Sequence, residues 1–176
     1  MSRSQYKTMK QNLHLADNTA IDNNDKLYKV RPYLNLLNKK FQQFGVFSHN
    51  LSIDEQMIPY RGKHSAKMFL KGKPIRFGYE SWTLASSDGY VFNFDIYTGK
   101  STTANSSEYE KFGLGGSVVM NLLKVIETPI NHDIYFDNFF TSFPLLCHLK
   151  YLGFNATGTM RKNRIDNCLS GISKVY

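Results

Sequence analysis

Two aspartates, Asp54 and Asp137, each close a short strand-like apolar run, Leu51-Ser-Ile-Asp-Glu-Gln56 and Ile134-Tyr-Phe-Asp-Asn138. Carboxylates at the ends of neighbouring strands suit a hard divalent cation, because Mg²⁺ takes oxygen ligands and is commonly held by one or two carboxylates while keeping several waters. The chemistry such a pair serves is metal-dependent phosphodiester cleavage and transfer. Alternation places Leu51 and Ile53 on one face of the first run, so Asp54 emerges on the other. The plainer alternative for Asp54 is a solvated charge at a strand end. For Asp137 it is a helix cap, but Thr141 and Ser142, with Pro144 just inside, are better placed to start that helix. The remaining acids are weaker candidates. Glu55 points to the side opposite Asp54, Asp88 belongs to a turn, and Asp95 lies inside a strand. Asp133 opens its strand about 13 Å from Asp137, and Asp166 precedes no helical pattern. No third partner acid follows Asp137 within the sequence.

The elements that must position the pair are legible from periodicity. Arg3 to Leu15 is a short helical stretch. Leu27, Val30, Leu34, Leu37, Phe41 and Phe44 then recur at three- and four-residue intervals, with Pro32 near the start of that helix and Gly45 as its stop. After Phe47 the pattern changes to short β-like runs, Leu51 to Met57, Tyr79 to Ala85 and Tyr90 to Tyr97, the last two joined by Ser86-Ser87-Asp88-Gly89 as a hairpin. A helix at Gly116 to Ile126, a strand at Asp133 to Phe136, a helix at Ser142 to Leu152 and a strand at Phe154 to Met160 complete the series. The expected fold is α/β, a mixed α+β sheet in the order β-β-β-α-β-α-β behind an α-helical segment. That is the order of an incomplete ribonuclease-H-like core, with one more helix needed to close it and an apolar sheet surface left open without that helix. In such a core the first and fourth strands are neighbours, so Asp54 and Asp137 would meet at one end of the sheet. The boundaries are 1–48 for the helical segment, 49–165 for the core and 166–176 for the start of an insertion.

Charge supplies the partner class. The 176 residues carry 22 Lys and Arg against 14 Asp and Glu, net +8 at pH 7, with 41% hydrophobic and 14% aromatic residues. This is a folded, basic protein, suited to a polyanion such as nucleic acid. Tyr60 to Phe77 holds Arg61, Lys63, Lys67, Lys71, Lys73 and Arg76 without an acid, and Arg161-Lys162-Asn163-Arg164 is a second basic patch. Gly62, Gly72 and Pro74 break the first patch, so it is no amphipathic membrane helix. No apolar run reaches the roughly 18 residues of a membrane span. The polar, basic N-terminus does not read as a signal peptide, and an intracellular protein without a membrane partner is expected. Beside the patch, Tyr60, Phe69, Phe77 and Trp82 could stack bases, although core packing is the commoner role for most aromatic residues. Cys147 and Cys168 lack zinc-ligand spacing and read as reduced thiols.

Four motifs in one order carry a more specific resemblance: Leu51-Ser-Ile-Asp-Glu-Gln-Met-Ile-Pro-Tyr-Arg-Gly-Lys63, Lys73-Pro-Ile-Arg-Phe-Gly78, Tyr135-Phe-Asp-Asn-Phe-Phe-Thr-Ser142 and Gly158-Thr-Met-Arg-Lys-Asn-Arg164. Together they resemble the piggyBac transposase family and its domesticated relatives. Lys26-Leu-Tyr-Lys-Val-Arg-Pro32 is similar to the family's helical segment ahead of the core, the end of a dimerisation and DNA-binding region. The resemblance implies a nuclear, DDE-type transposase-derived protein that uses Mg²⁺ or Mn²⁺ to nick element ends, form hairpins and join them into TTAA targets, with a homodimer as a further possibility. It implies Asp54 and Asp137 as the first two catalytic, metal-binding aspartates. It also implies that Arg61, Lys63, Lys73, Arg161 and Arg164 approach DNA, to which Lys67, Lys71, Arg76 and Lys162 add charge. The family's third aspartate and its cysteine-rich zinc domain lie beyond the matched motifs, and Glu80 stands where relatives are usually basic. Little or no strand cleavage is therefore expected of residues 1–176 alone. A non-catalytic DNA-binding or interaction protein, or a gene remnant without function, is the alternative.

Overall fold

The computed structural model describes residues 1–99 and 107–160. Helix α1, Arg3–Asn12, opens with a capping box in which Ser2 and Gln5 satisfy each other's backbone, and it buries none of its residues. Helix α2, Arg31–Phe44, begins at a tight turn over Tyr28–Val30, places Pro32 in its first turn and stops at Gly45. The strands are β1 (Asn50–Pro59), β2 (Met68–Phe69), β3 (Phe77–Ser86), β4 (Val91–Ile96), β5 (Asp133–Phe136) and β6 (Asn155–Gly158). Helix α3, Ser107–Leu123, precedes β5, and α4, Phe143–Tyr151, precedes β6. This is the expected mixed α/β order, with β2 as an additional two-residue edge.

The six strands form one mixed sheet in the order β2-β3-β1-β5-β6, with β4 on the same side of β3 as β2. β1 pairs antiparallel with β3, and β5 runs parallel to both β1 and β6. The hairpin between β3 and β4 turns where Gly89 takes φ +89°, which a residue with a Cβ adopts only at a cost. Leu51, Ile53, Trp82, Leu84, Ile134 and Phe136 point to one face, where Val119, Leu122, Leu145 and Leu149 of α3 and α4 close the core. Burying such side chains contributes roughly 1.5–3 kcal/mol each. Helix α3 begins well before the expected Gly116 and is kinked at Gly113, φ +71°. Gly115 and Gly116 sit inside it because they pass close to Phe139, Phe140 and Phe112 rather than to end it.

Phe94 of β4, paired with Thr83, meets the ring of Phe41 in α2, whereas Asn93, one residue earlier, donates to the carbonyl of Leu122 in α3. Helices α2 and α3 therefore lie on opposite faces of β4. Over β1, β5 and β6 the face away from α3 and α4 carries Ser52, Tyr135 and Thr157, all exposed. Where these three strands lie side by side, the expected apolar opening is thus corrected to a polar surface, while farther along β1 the outward-facing Ile58 is an exposed aliphatic residue. Among the described residues, no helix is long and apolar enough to cross a membrane.

The entry to α2 is tied down electrostatically. Arg31 forks onto Asp25 at 2.7 and 2.8 Å, which holds the Asp25 carboxyl below its ordinary range. Asp95 is raised by burial, with Arg31 opposing that shift. Stability from Asp25 is present above the ordinary carboxylate value near 3.8 and is lost as pH falls through its lowered value; Asp95 works the other way, its burial penalty setting in as pH rises. Arg31→Gln is expected to destabilise the chain by about 1 kcal/mol at pH 7, a figure reduced for solvent screening, and to flatten the acid limb of a melting-temperature profile between pH 2 and 5. An unchanged limb would show that the pair contributes nothing.

Candidate functional site

The register of β1 and β5 decides where the two aspartates go. Leu51 pairs with Ile134 and Ile53 with Phe136, all four buried, so the residue that follows each run, Asp54 and Asp137, lies on the opposite, exposed face at the same end of adjacent parallel strands. Neighbouring strands are about 4.8 Å apart. Two carboxylates far apart in sequence are thereby brought to one rim. Asp54 Oδ1 accepts from the backbone N–H of Glu55 at 2.7 Å. Asp137 is held more firmly. Its Oδ1 accepts from Phe139 N–H at 2.8 Å, and its carbonyl accepts from the Thr141 hydroxyl at 2.7 Å and the Thr141 N–H at 3.2 Å. This local turn ends at Ser142, which caps α4 through Leu145 N–H. Ser142 is thus the helix cap, and Asp137 makes a turn before it.

Among the described residues no group of three His, Cys, Asp or Glu is placed to hold a metal ion. The rim offers two exposed carboxylates, hard oxygen donors of the kind Mg²⁺ or Mn²⁺ accepts while waters and a phosphate fill the other positions. Asp133 sits at the opposite rim, 3.2 Å from His49 Nε2 and bonded to Asn155, as its place at the start of β5 requires.

Beyond the ends of β4 and β5, β1 and β3 run on as a two-stranded ribbon to Pro59 and Gly78, with β2 added at its edge. All six cations between Tyr60 and Phe77 belong to the end of this ribbon. Lys67 Nζ donates to the carbonyl of Gly62 at 3.0 Å and lies 5.3 Å from the Phe77 ring centre. Lys73 instead turns to the other face and pairs with Glu55 at 3.2 Å. Arg61, Lys63, Lys71 and Arg76 are exposed. Arg161, Lys162 and Arg164 lie outside the described residues, as do Asp166 and Cys168. Of the four aromatic residues, Trp82 is core at 2% exposure, whereas Phe69 and Phe77 are 55% and 54% exposed. Core packing does not account for those two rings.

Behind the rim sits a half-buried acid that sequence reasoning noticed only as a departure. Burial, then the charge of Glu55, raises the Glu80 carboxyl above its ordinary value of 4.5. Glu55 Oε2 is itself buried with no hydrogen-bond partner. For a raised carboxyl the folded state holds the proton more tightly, so stability is lost as pH rises from about 4.5 through the raised value. Glu80→Gln is expected to stabilise the chain at pH 7 by on the order of 1 kcal/mol, discounted for partial exposure. The gain disappears below pH 4. Equal melting temperatures at pH 7 would overturn this.

Residues 1–173 match a protein-family model described as Transposase IS4. The chain is 40% identical over 168 residues to the human PiggyBac transposable element-derived protein 3, covering 94% of this chain and 28% of that protein. It is 34% identical over 158 residues to the human PiggyBac transposable element-derived protein 2, covering 89% and 26%. Among solved structures, the piggyBac transposase in its synaptic complex with hairpin DNA superposes with a TM-score of 0.81 at 27% identity, over 98% of this chain and 37% of that one. The chain thus spans about a quarter of the length of these curated relatives.

Proposed function

Because the chain belongs to the Transposase IS4 family, among its piggyBac-related members, we propose that it is part of a DDE-type transposase-derived protein that binds DNA and contributes two aspartates to metal-dependent strand cleavage and transfer. The observation that carries this reading is the parallel register of Ile53 with Phe136, which sets Asp54 and Asp137 side by side on an exposed rim. Asp54 and Asp137 would hold the Mg²⁺ or Mn²⁺. When bound, the ions supply positive charge that activates an attacking oxygen and stabilises the leaving one. The side chains do the positioning. Asp137 is fixed by its turn to Phe139 and Thr141, and Asp54 by a strand that pairs with β3 at Thr83 and, up to Ile53, with β5. Arg61, Lys63, Lys67, Lys71 and Arg76 on the ribbon would draw in the phosphate backbone and fix its register without reading sequence. TTAA targets, a nuclear site of action and pairing into a homodimer complete the proposal.

Two carboxylates hold ions weakly, so residues 1–176 by themselves are expected to bind duplex DNA with little nicking. The test is incubation with TTAA-containing duplex at graded salt, with Mg²⁺, with Mn²⁺ and with EDTA. Salt-sensitive binding supports the DNA reading, with the slope of log K against log salt reporting the phosphates contacted. Metal-dependent nicks at TTAA support retained chemistry. Salt-sensitive binding with no nicks under any metal favours a non-catalytic DNA-binding protein. Absence of binding at low salt overturns both.

A further inference from the structure

Phe69 and Phe77 are large apolar rings left exposed where, among the described residues, six cations cluster without an acid. They face each other across β2 and β3 with centroids 4.8 Å apart and planes tilted by 36°. Neither belongs to the core cluster. Strand alternation from Thr83, the partner of Asp54, through Ser81 and Tyr79 returns Phe77 to the same sheet face as Asp54, and Phe69 pairs with Phe77 on that face. Six residues of strand separate Thr83 from Phe77, about 20 Å. Lys67 leans over the Phe77 ring at 5.3 Å, and Tyr60 to Phe77 contains no acid.

Cations alone suffice to bind a duplex, whose bases are already stacked and offer no ring faces. Exposed rings interleaved with cations are the arrangement that takes unpaired bases, because every base has a π-face to stack. We propose that Phe69 and Phe77 form a stacking platform for unpaired bases of a DNA strand, lying about six nucleotides of stacked strand from the Asp54–Asp137 rim. This rests on the DNA-binding reading above and goes further in naming unpaired bases as the ligand. Lys67, Lys71 and Arg76 carry the backbone beside the platform, and Lys67 also polarises contact with the Phe77 face. A protein surface packing on the two rings would be indifferent to whether DNA bases are paired, which separates the two occupants.

The test is fluorescence anisotropy of the chain in EDTA with three labelled DNAs: a duplex, the same duplex with a short single-stranded tail, and that tail made abasic. The expected result is that the tailed DNA binds roughly tenfold tighter than the duplex, and that the abasic tail loses this gain. Phe69→Ala and Phe77→Ala should lose the gain while leaving duplex affinity and the salt slope in place. Phe77→Tyr should keep it. Equal affinity for tailed and blunt DNA, or a gain that survives in the abasic tail, overturns the platform while leaving the DNA reading intact. Loss of all DNA binding would sink the broader reading instead. Since the abasic arm uses the unmodified chain, the inference stays testable even where an alanine variant fails to fold.

Discussion

Asp54→Asn and Asp137→Asn are each expected to weaken Mn²⁺ binding at the rim by at least about tenfold, and to remove whatever metal-dependent nicking the chain shows. Asparagine is nearly isosteric with aspartate and keeps a side-chain carbonyl, so the bonds from Glu55 N–H and Phe139 N–H persist. What is lost is charge. A divalent cation at a solvent-exposed site depends on that charge to displace its own water, and a neutral amide oxygen does not replace it. The double variant should lie close to either single one, because an ion shared by two carboxylates is lost with the first; groups acting on one ligand are strongly non-additive. Melting temperatures should stay within a degree or two of the parent. Titration of Mn²⁺ monitored by paramagnetic broadening of nearby resonances measures the affinity without any substrate. Unaltered broadening in either single variant would remove that aspartate from the site, and unaltered broadening in both would end the case for a shared metal.

How far this site was legible from sequence follows from the physics of each element. Asp54 and Asp137 could be read because period-two alternation within Leu51-Ser-Ile and Ile134-Tyr-Phe states which way each next residue points, and the order of elements made their strands neighbours. The ribbon was harder. Met68–Phe69 is too short to show any period, and an aromatic residue near cations carries no sign of whether its ring is covered. Pairings across long separations, Lys73 with Glu55 and Arg31 beside Asp95, are set by tertiary placement that local pattern does not encode. The start of α3 was hidden for a different reason. Gly113, Gly115 and Gly116 look like breakers, and only Gly113 behaves as one. Gly115 is there for its close approach to the backbone of Phe139 and Phe140, a property of the partner surface, and Gly116 for its closeness to Phe112 one turn earlier, across the kink.

Gly115 is where that close approach bears on the site. A Cβ at this position would lie 2.5 Å from the carbonyl oxygen of Phe139 and 2.9 Å from the Cα of Phe140. Both are backbone atoms, so no rotamer change relieves the clash and either α3 or the turn must move. Phe139 is the residue whose N–H holds the Asp137 carboxylate, and two residues on Thr141, fully buried, holds the Asp137 carbonyl. Displacing Phe139 therefore displaces Asp137. Gly115→Ala is expected to cost about 1–3 kcal/mol, the usual range for forcing extra atoms into a packed interior. In a chain of this size that lowers the melting temperature by roughly 3–10 °C. It should also weaken Mn²⁺ binding, since ligands shifted by even half an ångström no longer converge on one ion. Gly153→Ala supplies the matched control. It strains a position at φ +93° beside Pro129 and Ile130, away from the rim, and should lower stability with Mn²⁺ affinity unchanged. If Gly115→Ala merely softens the fold, the two variants will show equal Mn²⁺ affinity at a temperature where both are folded. A deficit confined to Gly115→Ala would mean that helix α3 sets the position of Asp137, so that one glycine inside the core governs a carboxylate on the surface.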